Sequence, residues 1–285
     1  MRLKAVFSIF LICTCFQPIF VFKDATAAEP NRWAPLTNED YLWLGGFLGG
    51  ALLTNGTAFA PFGNWRGGIL FDDSVRNGLK GPTLSAREQA SHLSDIGLVG
   101  LLSAPIILNA GILSNLTYSD PTGAWRIIVI SLQSYAFSVF LQRTTISIAN
   151  RSRPGQLECS QNNPGYYPDC GTAEGYNSFF SGHSAMAFTA AGLVCRHNES
   201  LNLIEDPLAQ GLVCGGALAA ATGVGLLRVV AERHYLSDVL VGGLVGFFSG
   251  YVLPTLMHRT ESGKVKISLL PTATKEMSLQ VSYSF

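Results

Sequence analysis

The sequence predicts an all-α protein, a bundle of about six apolar helices that ends in a short C-terminal β-hairpin. Three observations support this. Hydrophobic residues make up 48% of the 285 and charged residues 13%, about half the usual share of charge, with a mean hydropathy of +0.28. Six long stretches carry no charge at all, and only the last residues, 261–285, alternate with a period of two. Lys+Arg and Asp+Glu both number 19, so the net charge is zero. A disordered chain is excluded by the apolar content, and nothing draws the protein electrostatically to nucleic acid.

The chain opens with an export signal over residues 1–28. Arg2 and Lys4 form its basic end, Ala5 to Phe22 is mostly apolar, and Ala25-Thr26-Ala27 places small residues before a cleavage point at Ala28. A helical domain is expected over 29–260. Its uncharged stretches are Tyr41–Phe62, Ile96–Ser119, Ile127–Gln142, Ser184–Cys195, Pro207–Leu227 and Val239–Met257. Ser85, followed three residues later by Glu88, reads as the capping box of the helix entering the second stretch. In the tail, Val265, Ile267 and Leu269 alternate with polar residues, as do Leu279, Val281, Tyr283 and Phe285. That period predicts two strands turning near Pro271 and packed on the helices.

Export implies an oxidising compartment. Of the four cysteines beyond the leader, Cys159 and Cys170 bracket a polar loop and are expected to close it. In the chain-entropy account such a closure stabilises by roughly 3 kcal/mol. Several helices are long enough to cross a membrane, for which about 20 apolar residues suffice. Two observations favour an exported, membrane-associated domain over a six-span one. Three crossings after a cleaved leader would put the 150–183 loop in the cytoplasm, and the 63–95 segment carries Arg66, Arg76, Lys80 and Arg87 while 120–125 carries no Lys or Arg. Moreover, Ser184–Cys195 spans only about 18 Å as a helix. The expected location is exported, periplasmic or in the membrane with the active site facing the periplasm.

Three short segments concentrate polar residues in the second half: Asn150-Arg151-Ser152-Arg153-Pro154, Ser181-Gly182-His183-Ser184, and the run from Arg228 to Asp238. His234 and Asp238 are four apart, so on a helix they share a face, and the carboxylate could fix the imidazole tautomer. Ser181-Gly182-His183 opens an apolar helix, whose N-terminus favours an anion. Arg153 and Arg228 are planar donors suited to phosphate. Two arginines, a helix N-terminus and two histidines suit phosphoryl transfer better than acyl transfer.

These segments resemble the three-part signature of the type 2 phosphatidic acid phosphatase superfamily, K-x6-R-P, P-S-G-H and S-R-x5-H-x3-D. That superfamily includes lipid phosphatases, bacterial acid phosphatases and vanadium haloperoxidases. Arg153-Pro154, Ser181-Gly182-His183, and Arg228, His234 and Asp238 match it. The sequence departs at Ile146, where the signature has Lys, and at Phe180 and Leu227. Losing one charge-assisted contact costs about 1.5–3 kcal/mol, and Arg143 and Arg151 are the candidates to replace that cation. The resemblance implies that His234 attacks phosphorus, Asp238 orients it, and His183 protonates the leaving alcohol. It also implies that Arg153, Arg228, Ser181 and Gly182 hold the phosphoryl oxygens, with no metal and no cofactor. A phosphorylated lipid or a small phosphomonoester would be the partner, at or near a membrane. The alternatives are a non-catalytic phosphate-binding or scaffold protein that has lost the Lys, and a vanadium-dependent haloperoxidase. If His183 and Arg228 face one site, Cys195 and Cys214 lie at similar depth on antiparallel helices and form a second disulfide.

Overall fold

The computed structural model describes residues 33–54, 65–159 and 165–258, and the backbone of 264–271 and 277–284. Seven helices are present among them, not six: α1 (Asn38–Thr54), α2 (Asp72–Leu79), α3 (Leu84–Thr117), α4 (Pro121–Ala149), α5 (Gly182–Leu201), α6 (Pro207–Val230) and α7 (Leu236–His258). The additional one, α2, is a short amphipathic helix inside the polar 63–95 segment, where no uncharged run announces it. The cap of α3 also moves: Thr83, not Ser85, accepts a hydrogen bond from Ala86 N at 3.1 Å. Pro105 carries no N–H, and from there to Thr117 α3 is wound as a π-helix.

The described residues of 37–253 form one compact unit, and those of 33–36 and 254–284 a second. In the first, α5 is the central helix and packs against α3, α4, α6 and α7. Its core is made of small side chains, with Ala187, Ala190 and Ala191 meeting Leu101 of α3 and Ala221 and Val224 of α6. The contact of α5 with α7 is closer still. Gly242, Gly246 and Gly250 of α7 lie against the carbonyl oxygens of Ser181, Ala185 and Thr189, where a Cβ would overlap them. Glycine every fourth residue lets two backbones touch in this way, and it draws the first turn of α5 beside the first turn of α7. The Cys195–Cys214 disulfide ties α5 to α6, as the depth of the two thiols suggested.

Four helices, α3, α4, α6 and α7, are long and apolar enough to cross a membrane. The most apolar window of α3 is only 17% buried and that of α6 28%. Ile96, Val99 and Leu116 of α3, Leu208 and Leu212 of α6 and Leu244 of α7 all face outward, the arrangement expected of lipid-facing sides. The short length expected of the Ser184–Cys195 helix, which counted against crossing, is also revised. The apolar Ser184–Cys195 stretch is the middle of a 20-residue helix, about 30 Å long, because the buried Arg196, His197 and Asn198 continue it.

In the second unit, Ala34 N donates to His258 O at 2.8 Å, and Trp33 meets the His258 ring edge-on. The expected export leader at 1–28 lies outside the described residues. So do the turn and the side chains of the expected C-terminal hairpin; of its backbone, β1 (Lys264–Pro271) pairs antiparallel with β2 (Met277–Ser284), Lys264 opposite Ser284.

Candidate active site

The first turn of α5, the end of α6, the turn before α7 and the loop after α4 converge on a cavity of about 270 Å³. Gly182, His183, Arg153, Arg228 and His234 all line it, together with Arg143 and Ile146 of α4. The three polar segments, separated by up to some 80 residues of chain, are thus brought to one place.

His234 is 3% exposed and stands in the tight turn between α6 and α7, not on a helix. The expected shared face with Asp238 therefore does not form. Asp238 lies in the first turn of α7, and its Oδ2 accepts from Tyr235 N at 2.9 Å and from Ser178 Oγ at 2.6 Å. From His234 Nδ1 to that oxygen is 3.9 Å, too far for a hydrogen bond. The backbone carbonyl of Ser178 orients the ring instead, 2.7 Å from Nδ1. A carbonyl can only accept, so Nδ1 carries the hydrogen and Nε2 keeps its lone pair. Burial, followed by the charges of Arg228 and Arg153, pushes the His234 pKa well below 6.5. The ring is therefore neutral at pH 7.

His183 follows Gly182 at the start of α5. Its Nε2 is 2.7 Å from Asp95 Oδ1 of α3. Burial and then the charge of Arg228 lower its pKa to about 4, against the opposing pull of Asp95. Ser181 caps α5, its Oγ accepting from Ser184 N at 3.3 Å and from Ser184 Oγ at 3.0 Å. It is fully buried and its side chain serves the helix end, whereas Gly182 lines the cavity.

The two arginines are held differently. Arg228 Nη1 donates to Ser91 Oγ and Ser94 Oγ, each at 3.1 Å. Arg153 Nη1 donates to Asp169 Oδ2 at 2.7 Å, and Asp169 also pairs with Arg233. Asp169 belongs to the loop closed by the Cys159–Cys170 disulfide, which forms as the spacing predicted. In both arginines Nε is buried without a hydrogen-bond partner among the described residues. Both side chains line the cavity, where a guanidinium can donate charge-assisted hydrogen bonds to an anion.

Of the two candidates for the missing cation, Arg143 lines the cavity beside Ile146. Arg151 does not reach it. It is fully buried, donates to Asp238 Oδ1 at 2.5 Å and Asp72 Oδ2 at 2.9 Å, and lies between the rings of Trp65 and Tyr235. Two carboxylates and two rings consume its charge, so its place is structural.

The sequence reading missed Asp95, Ser178, Asp169 and Asp72. Ser178 acts through its backbone, which leaves no trace in residue type. Asp169 stands next to Cys170, and that adjacency was the available signal.

Residues 127–262, just under half of the chain, match the family model of the PAP2 superfamily. This is the superfamily that the three-part signature resembles, and the enzyme class that goes with it is phosphoric ester hydrolase. Among solved structures, the chain is similar to one described as the crystal structure of Aquifex aeolicus LpxE, at 21% identity and a TM-score of 0.39, over 62% of this chain and 89% of that one.

Proposed function

We propose, from the PAP2 domain of residues 127–262, that the protein is a metal-independent phosphatase that hydrolyses the phosphate of a lipid through a phosphohistidine. The observation that carries this reading is the convergence, on one cavity, of His234, held neutral by burial and by the neighbouring arginine charges, with His183 and the buried arginines Arg153 and Arg228. A phosphoryl group asks for positioning and charge stabilisation more than for covalent machinery.

In the proposed reaction His234 Nε2 attacks phosphorus. As the new N–P bond forms, the P–O bond to the alcohol breaks and its electron pair stays on the leaving oxygen. His183, charged once the dianion of the substrate is beside it, delivers a proton there. Water then attacks the phosphohistidine, His183 takes its proton, and inorganic phosphate leaves with His234 restored. Arg153, Arg228 and the Gly182 N–H stabilise the equatorial oxygens, and Arg143 supplies the charge that Ile146 lacks. The apolar sides of α3, α6 and α7 support a substrate anchored in a lipid bilayer, and the two disulfides support a site outside the cytoplasm.

The test is phosphate release by the purified protein from p-nitrophenyl phosphate, phosphatidate and undecaprenyl diphosphate, with His234→Ala as the control. Turnover of a lipid phosphate that is lost in the variant is the expected result. No release from any of the three would overturn the proposal.

A further inference from the structure

One turn of α3, a helix that precedes the matched region, holds two of the residues that line the cavity, Arg228 and His183. Ser91 and Ser94 face Arg228, and Asp95 faces both Arg228 and His183. Asp95 Oδ1 is 2.7 Å from His183 Nε2 and 3.5 Å from Arg228 Nη1. Unlike Asp72 and Asp238, which are sealed against Arg151, its side chain is 52% exposed. A carboxylate so placed acts electrostatically on whatever approaches His183.

We propose that Asp95 is a specificity-determining residue that favours phosphomonoesters of uncharged alcohols over diphosphates. The inference rests on the reading that His183 serves the leaving oxygen. A proton donor must come within about 3 Å of that oxygen. Whichever ring nitrogen is used, the leaving oxygen then lies within about 8 Å of Asp95 Oδ1. An alcohol leaves uncharged once protonated. In a diphosphate the leaving group is itself a phosphate, and it brings one or two negative charges to the same place. A unit charge about 6 Å from a carboxylate, at an effective dielectric of about 40, is disfavoured about tenfold. Arg153, Arg228 and Arg143 are the same in the wild type and in an Asp95 variant, so their attraction for either substrate cancels when the two proteins are compared.

The test uses the full chain in detergent micelles, as wild type, Asp95→Asn and Asp95→Ser. An alkyl phosphate and an alkyl diphosphate of the same chain length are compared by kcat/KM. Asp95→Asn should raise the ratio of diphosphate to monoester about tenfold over that of the wild type. Calorimetric binding of inorganic phosphate and pyrophosphate forms a second arm, in which Asp95→Asn should tighten pyrophosphate over phosphate by a similar factor. A residue that only braces the fold would weaken both substrates together and leave the ratio unchanged. An unchanged ratio in both arms overturns the proposal, and Asp95→Ser decides the matter if the Asn variant does not fold. Absence of turnover in every form would count against the phosphatase reading, while the binding arm would still judge Asp95.

Discussion

Replacing Arg151 by Ala should damage the fold and not the hold on phosphate, although its position in the sequence suggests the opposite. Its guanidinium is fully buried and makes ion pairs with Asp72 at 2.9 Å and Asp238 at 2.5 Å. It also donates to Ser237 Oγ at 2.9 Å and to Gly67 O at 3.0 Å. The substitution strands two buried carboxylates without a counter-charge. Breaking a buried pair from one side costs about 3–5 kcal/mol. For a unit of this size each kcal/mol lowers the melting temperature by about 2–4 °C, so a fall of about 6–20 °C is expected. Arg143→Ala is the contrast. That side chain is exposed at the cavity, and its loss should leave the melting temperature unchanged while weakening vanadate inhibition. A lost charge-assisted contact of about 1.5–3 kcal/mol corresponds to about 10- to 100-fold. Thermal unfolding in detergent and vanadate inhibition, measured on both variants, separate the two roles. An Arg151→Ala protein that melts like the wild type but no longer binds vanadate would refute the assignment and return Arg151 to the phosphate site.

Ile146→Lys should be neutral or harmful to vanadate inhibition, because Arg143 already serves the space beside it; a clear tightening would show that the site is short of a cation. Asp238→Asn should lower the melting temperature through loss of the Arg151 partner, and Nδ1 of His234, bonded to the Ser178 carbonyl, should retain its hydrogen in a nitrogen-15 spectrum. A switch of tautomer in that variant would restore Asp238 as the direct orienting group. Stability should also depend on pH with a definite sign. His183 titrates near 4 when folded and near 6.5 when unfolded, and His234 is shifted in the same direction. Between those values the unfolded chain binds protons at these histidines that the folded one refuses, so their contribution to stability falls as pH drops from about 6.5 to about 4. Over that range the melting temperature should change less favourably in the wild type than in His183→Asn; an identical slope in the two proteins would contradict it.

The chemistry-bearing residues were legible because their order and spacing survive in the linear chain, and His183, His234, Arg153 and Arg228 do meet. What failed was local. The pairing of His234 with Asp238 assumes a helix through both, but α7 begins only at Leu236, after a turn in which Glu232 adopts a φ of 56°. That turn is held by side chains far away in sequence, with Arg76 and Tyr166 both donating to the buried Glu232. Asp95 was invisible for a related reason: its partner His183 is 88 residues further on, and a single carboxylate beside an apolar run has no spacing to read. The short α2 and the polar end of α5 were missed because absence of charge was the guide to helices. Arg196, His197 and Asn198 are buried within the bundle and extend a helix that hydropathy alone would have stopped.

The most direct measurement of the mechanism is rapid-quench labelling with a substrate carrying radioactive phosphate, followed by peptide mapping. An acid-labile adduct on His234 is expected, absent together with turnover in His234→Ala. In His183→Ala the adduct should still form from p-nitrophenyl phosphate, whose leaving group needs little protonation, but form about 10²–10⁴-fold more slowly from an alkyl phosphate. Full turnover in His234→Ala, or a label that maps elsewhere, would contradict the account at its centre.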